Sequence, residues 1–215
     1  MLHYERLRNH AGILLVGDYE TLKALHEVIH DVNERSPIVR DKEGVFLGLA
    51  YDVRKAFERQ RRVLEAPAHY PEIGPRFGVE ILWPVFLVQT RMLRSSMAFI
   101  DTDKWAQAYA YALEAVIESA LKAEFGGDLG ARLIQRWMAI DPTHPNAAEE
   151  LGSRGAYYCS LGKAERKKQI DGLLASFEPM YPELYEIWIG QGARDLPSPS
   201  DLDGWADREW PDPRW

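Results

Sequence analysis

The residues of this chain best suited to chemistry are His26-Glu27-Val28-Ile29-His30. On a helix, two histidines four positions apart lie one turn apart on the same face. They can share a zinc ion, and the glutamate can act as general base on the metal-bound water. The segment is predicted to be helical, which is the context such a motif requires. Three features oppose the metal reading. Asp31 places a charge directly after the second histidine. The motif begins at residue 26, which leaves little chain upstream for the sheet that normally flanks such a helix. No third ligand announces itself: there is no His-x-x-Gly-x-x-His extension, and Glu43, Asp52 and Glu58 are only acidic residues within reach. The favoured expectation is therefore two histidines at the edge of an apolar stripe, Glu27 in solvent, no cofactor and no catalytic residue. A zinc-dependent hydrolase built on His26, Glu27 and His30 is the alternative.

The other reactive side chains are fewer. Cys159, the single cysteine, can form no internal disulfide and no Cys-rich zinc site. Its neighbours Tyr157, Tyr158 and Ser160 offer no base to lower its pKa, so it reads as a small buried apolar residue in a reducing compartment. Arg54, Lys55, Arg59, Arg61 and Arg62 form a basic run with Glu58 the only acid among them. It reads as a solvated face at a helix C-terminus more readily than as a phosphate or nucleic-acid contact. Arg91 and Arg94 stand out because the segment carrying them is otherwise apolar. An arginine near a core needs a carboxylate or an anionic ligand, and Glu80 on the preceding strand is one candidate partner. No phosphate-binding Gly-rich loop, Rossmann spacing or Gly-x-Ser-x-Gly is present.

The elements that must position these residues follow from periodicity and punctuation. Residues 1–17 are predicted as a hairpin or two short strands, with the apolar run Ile13-Leu14-Leu15-Val16 between Gly12 and Gly17. Asp18 caps a helix to about Glu34 with Leu22, Leu25, Ile29 and Val32 as its stripe. A second helix is predicted from Val45 to Glu65, with Phe46, Leu49, Ala50, Val53, Phe57 and Leu64 on one face, ended by Pro67. Residues 77–83 read as a strand with Val79 and Ile81 on one side. A third helix, Pro84 to about Phe99, is apolar nearly all round. A fourth, Asp103 to Phe125, carries Trp105, Tyr109, Leu113, Val116, Ile117, Ala120 and Leu121 as a continuous stripe and stops at Gly126-Gly127.

Beyond Gly127 a helix is predicted over about 129–140, a helical turn from Asn146 to Leu151, a strand over 155–161, a helix over 163–177 and a short helix over 182–189. From Asp195 the composition changes: four prolines, six acids against two arginines, and Trp205, Trp210 and Trp215 at intervals of five. Prolines and charge argue against a helix or a packed strand there. Three indoles argue against a free tail, because each carries a large apolar area. An extended segment that lays its tryptophans into surface grooves reconciles the two, with its acids toward Arg54, Arg59 and Arg62.

Three stretches taken together carry a resemblance: Gly17-Asp18-Tyr19-Glu20, Phe46-Leu47-Gly48-Leu49-Ala50-Tyr51-Asp52-Val53-Arg54, and Gly78-Val79-Glu80-Ile81-Leu82-Trp83-Pro84. Over roughly residues 1–125 the chain resembles a family of small bacterial proteins classed as a domain of unknown function. The resemblance implies a bacterial cytoplasmic protein and brings no activity and no catalytic residues.

Composition bounds the rest. With 215 residues, 46% hydrophobic and 27% charged, the chain can bury a core without disulfides or metals. A net charge of −7 repels nucleic acid and anionic membrane on average. Residues 1–6 are charged, and the longest early apolar run is too short to span a bilayer. The expectation is a mainly α (α+β) multi-helix domain over residues 1–194, with a small antiparallel β-sheet near the N-terminus and an acidic Trp/Pro-rich tail over 195–215. The expected role is a cytoplasmic, non-enzymatic interaction or regulatory protein with a protein partner or self-association, no nucleic acid and no membrane.

Overall fold

Four antiparallel strands and nine α-helices make up the described part of the chain in a computed structural model, which covers residues 1–66, 68–144 and 146–213. The strands are β1 (His3–Arg6), β2 (Gly12–Gly17), β3 (Arg62–Leu64) and β4 (Arg76–Leu82), and their order in the sheet is β1-β2-β4-β3. The helices are α1 (Tyr19–Arg35), α2 (Val45–Phe57), α3 (Trp83–Ser96), α4 (Lys104–Phe125), α5 (Gly127–Ala139), α6 (Asn146–Ser160), α7 (Lys163–Ala175), α8 (Tyr181–Gly190) and α9 (Pro199–Asp203). The protein is thus a mainly helical α+β fold around one small N-terminal antiparallel sheet. None of the described helices is long and apolar enough to cross a membrane.

The sheet is built around β2, all of whose residues are buried. Its register with β4 pairs Leu15 with Val79 and Ile13 with Ile81, and its register with β1 pairs Tyr4 with Leu15. Side chains alternate across a sheet, so Tyr4 and Arg6 share one face. That face meets α4: Tyr4 Oη lies 3.0 Å from Ser119 Oγ, and Arg6 donates to the Ala123 carbonyl at 3.0 Å. The β1–β2 connection closes with Leu7 N donating to Gly12 O, and its tip places Asn9 and His10 in the left-handed region at φ of +57° and +53°.

Helices α1 and α4 begin where their caps dictate. Asp18 accepts from Thr21 N at 2.8 Å and Asp103 from Ala106 N at 2.7 Å, satisfying an otherwise orphaned first-turn donor. Leu22, Leu25, Ile29 and Val32 of α1 are all fully buried, and Leu113, Ile117, Ala120 and Leu121 of α4 likewise. Cross-ties hold the helices in place. Gln89 of α3 donates to the Val45 carbonyl at the start of α2 at 2.7 Å, and Trp137 of α5 donates to the Leu87 carbonyl at 3.0 Å.

Several predicted boundaries are corrected. The second helix stops at Phe57, because Arg59 takes a left-handed conformation at φ +62° and turns the chain into β3. Val63 and Leu64 continue the apolar pattern from a strand. The predicted strand over 155–161 is the second half of α6. Trp105, assigned to the core stripe of the fourth helix, is 75% exposed, and the buried stripe starts lower on the helix. Within the tail, residues 199–203 form a short helix capped by Ser198, where prolines at the first turn cost nothing.

Leu113 sits at the centre of the buried stripe of α4. Leu113→Ala is expected to destabilise the chain by about 2–5 kcal/mol, measured as a lowered midpoint in urea unfolding.

Candidate functional site

His26 and His30 do share one face of α1, their ring centroids 4.6 Å apart, with Phe57 edge-on to His26 at 5.8 Å. Burial lowers the His26 pKa, and the nearby His30 and Arg54 lower it further. Glu27 is exposed, as is His30. Among the described residues no three His, Cys, Asp or Glu side chains come together to hold a metal ion. The structure thus brings the two histidines together and supplies no third ligand. Asp52 and Glu58, the acids in reach by sequence, are engaged with Arg61 at 3.5 Å and Arg54 at 3.9 Å.

The arginines of the third helix find local partners. Arg94 Nε lies 3.4 Å from Glu114 Oε1 of α4, and its Nη2 donates to Tyr111 Oη at 2.7 Å with the guanidinium over the Tyr111 ring. Glu114, and not Glu80, is the carboxylate that meets this arginine. The helix-to-helix packing of α3 on α4 brings it there. Arg91 is half-buried and donates to the Ile140 carbonyl at 3.4 Å, and burial depresses its pKa against the pull of Glu114. Glu80 is exposed on β4 and lines a recess with Asp52, Arg61, Arg62 and Gly78. Three of the five cations of the basic run are ion-paired: besides Arg54 and Arg61, Arg62 lies 4.0 Å from Glu5. Cys159 is buried, and burial pushes its thiol up to about 11, which removes it as a nucleophile near neutral pH.

The described part of the tail, residues 195–213, lies on the C-terminal helices, whereas the sequence directs its acids to Arg54, Arg59 and Arg62. Its first residues cross α7 at Gly172, where a Cβ would come within 2.8 Å of the Asp195 carbonyl oxygen. Tyr181 then donates to the Pro197 carbonyl at 2.7 Å, and Leu202 is fully buried. The Trp210 indole covers Gly155 of α6 so closely that a Cβ there would meet Cη2 at 2.2 Å. Trp205 is half-buried with the Arg208 guanidinium 5.5 Å from its ring. Trp215 lies outside the described residues.

A cleft of about 950 Å3 is lined by none of the site residues expected from sequence. One wall is α7, with Lys163, Lys167, Lys168 and Asp171. A second is α5, with Leu129 and Arg132. The segment 194–196 and the ring of His10 close it. Asp171 is held between Arg132 at 3.7 Å and Arg136 at 3.5 Å, and Lys168 pairs with Asp195 at 2.8 Å. His10 Nδ1 lies 2.6 Å from the buried Glu124 carboxylate, so one ring nitrogen is committed to the protein. Periodicity gives no hint of this cleft, because its cations come from three separate segments. The spacing of Lys163 and Lys167, one turn apart on a helix with little amphipathic order, was the one available sign.

The architecture defines a class: a small antiparallel sheet wrapped by helices, with a cationic cleft between its C-terminal helices and its N-terminal hairpin tip. The chain belongs to the DUF6904 family, a domain of unknown function, matched over residues 2–194. No curated protein and no solved structure matches it.

The family match stops where the tail begins to cross α7. Truncation after residue 194 removes Leu202 and Trp210 from their seats and is expected to lower the melting midpoint by several degrees, since a buried leucine alone contributes roughly 1.5–3 kcal/mol. A truncated chain that melts with the full one would show that these seats contribute nothing.

Proposed function

We propose that the protein is a non-enzymatic interaction protein of the bacterial cytoplasm that associates with a second copy of itself. The observation that supports this reading is an exposed aromatic face at the start of α4. Trp105 is 75% exposed, Phe99 in the preceding turn 57% and Tyr111 52%. Trp105, Ala108 and Tyr111 fall on one exposed arc of the helix. Large apolar side chains grouped on a surface mark an interaction site. A second copy fits because the apolar patch is self-complementary across a two-fold axis, and the Arg94 charge beneath Tyr111 is already compensated by Glu114. The single cysteine and the acidic balance of the chain accord with a reducing cytoplasm. In this reading residues 1–194 are the interacting domain and the tail from residue 195 is a strap that stiffens its C-terminal helices.

Sedimentation of the full chain tests the reading. A dimer is expected that dissociates in Trp105→Lys, with the helical circular dichroism unchanged. A parent chain that stays monomeric at its highest soluble concentration contradicts it.

The paired histidines favour one second reading, a zinc-dependent hydrolase, because burial and the nearby His30 lower the His26 pKa and neutral imidazole is the form that binds metal. We propose instead that His26 and His30 hold no metal in the functional protein. Elemental analysis of untagged protein is expected to find no stoichiometric zinc. Stoichiometric zinc that is lost in His26→Ala would establish the hydrolase reading.

A further inference from the structure

The cleft between α5, α7 and the hairpin tip has the size of a small-molecule site, about 950 Å3 against the roughly 300–1,000 Å3 typical of such sites. Its charge is opposite to that of the whole chain. Arg132, Lys163, Lys167, Lys168 and Arg194 line it against the carboxylates Asp171 and Asp195 alone, in a protein of net charge −7. The two carboxylates are spoken for, Asp171 by Arg132 and Arg136 and Asp195 by Lys168. Among the described residues no ion pair includes Lys163, Lys167 or Arg194. Lys163 and Lys167 face each other one turn apart, a spacing of about 5–6 Å at which like charges destabilise a helix. Three cations converging on one concavity without internal compensation is a standing cost, and a bound polyanion relieves it.

Two further details define the ligand. Asp195 has a left-handed backbone at φ +66°, uncommon for a residue other than glycine. Its carboxylate nevertheless rests on Lys168 at 2.8 Å. An anion of the chain itself thus already occupies one edge of the cationic site. On the opposite side His10, also left-handed, has Nδ1 bound by Glu124 while its ring lines the cleft. Where Nδ1–H donates to that carboxylate, the other ring nitrogen is left as an acceptor for a ligand hydroxyl.

We propose that this cleft binds a small phosphorylated metabolite through a diphosphate-like group. Lys163 and Lys167 flank the phosphate oxygens from α7, Arg194 closes over them from the C-terminal segment, and the far nitrogen of His10 accepts from a hydroxyl of the ligand. Leu129, Ala164 and Leu196 supply the apolar wall for the rest of the molecule. The proposal does not rest on self-association through α4, and the two fail separately.

The probe is inorganic pyrophosphate, titrated into the full chain by calorimetry and by thermal melting, with sodium chloride matched for ionic strength. Saturable heat and a raised melting midpoint are expected from pyrophosphate and not from chloride. Lys167→Gln and Arg194→Gln should each weaken binding about tenfold, as loss of one charge-assisted hydrogen bond implies, with the ligand-free melting midpoint no lower than the parent's, since each removes one of the crowded cations. Asp195→Asn should tighten it by freeing Lys168, an effect that general unfolding would not produce. No heat above the chloride control, or the same affinity in parent, Lys167→Gln and Arg194→Gln, overturns the proposal. A single-stranded oligonucleotide that binds more tightly than pyrophosphate also overturns it, in favour of a nucleic-acid groove.

Discussion

A guanidinium taken out of water is stable only if each of its donors finds an acceptor, and Arg166 has been taken out completely. Its Nε donates to the Tyr158 carbonyl at 3.1 Å and its Nη2 to the Cys159 carbonyl at 3.3 Å. These belong to the last turn of α6, whose carbonyls have no helical partner and carry the negative end of the helix dipole. Its Nη1 reaches the Asn9 carbonyl at 3.4 Å, 157 positions away in sequence. The Tyr158 ring lies 5.3 Å from the guanidinium, and its hydroxyl donates to the His10 carbonyl. One buried cation therefore caps α6, anchors α7 and pins the tip of the N-terminal hairpin in a left-handed conformation that costs free energy in isolation.

The consequences reach the surface. Because Arg166 points inward from α7, Lys163 and Lys167 on the same helix are carried to the cleft. Because Asn9 and His10 are pinned, the His10 ring stands on the opposite wall, held by Glu124. The tail adds a second layer over the same helices, with Leu202 in the core and Trp210 over Gly155. Arg154 plays the corresponding part on the other side of α6, donating to the hydroxyl and carbonyl of Ser176 beyond α7 and lying 3.6 Å from Glu150. The sheet and α1 to α4 form the apolar half of the molecule. The C-terminal helices are held by buried arginines and present the charged cleft.

What could be read from sequence follows the physics of each element. Helices α1 and α4 were legible because Asp18 and Asp103 cap them and an unbroken aliphatic stripe runs along each. The end of α2 was not, since nothing in Glu58-Arg59-Gln60 signals that an arginine will adopt positive φ, and Val63 and Leu64 prolong the helical pattern. The run Gly155-Ala156-Tyr157-Tyr158-Cys159 reads as a strand from its glycine and aromatics, yet the glycine is the seat of Trp210 and the aromatics meet Gln169 and the His10 carbonyl. His26 and His30 were legible as a pair. The partner of Arg94 was not, because Glu114 comes from another helix. The cationic cleft is assembled from positions 132, 163 to 168 and 194, and no local pattern joins them.

The account stands on the claim that Arg166 couples the hairpin tip to α6 and α7. Urea unfolding of the full chain carrying Arg166→Ala tests it most directly. Loss of about 2–5 kcal/mol, from the buried carbonyls left without a donor and the cavity left by the side chain, is the expected result. A variant within about 1 kcal/mol of the parent, the range of an exposed interaction, would contradict it.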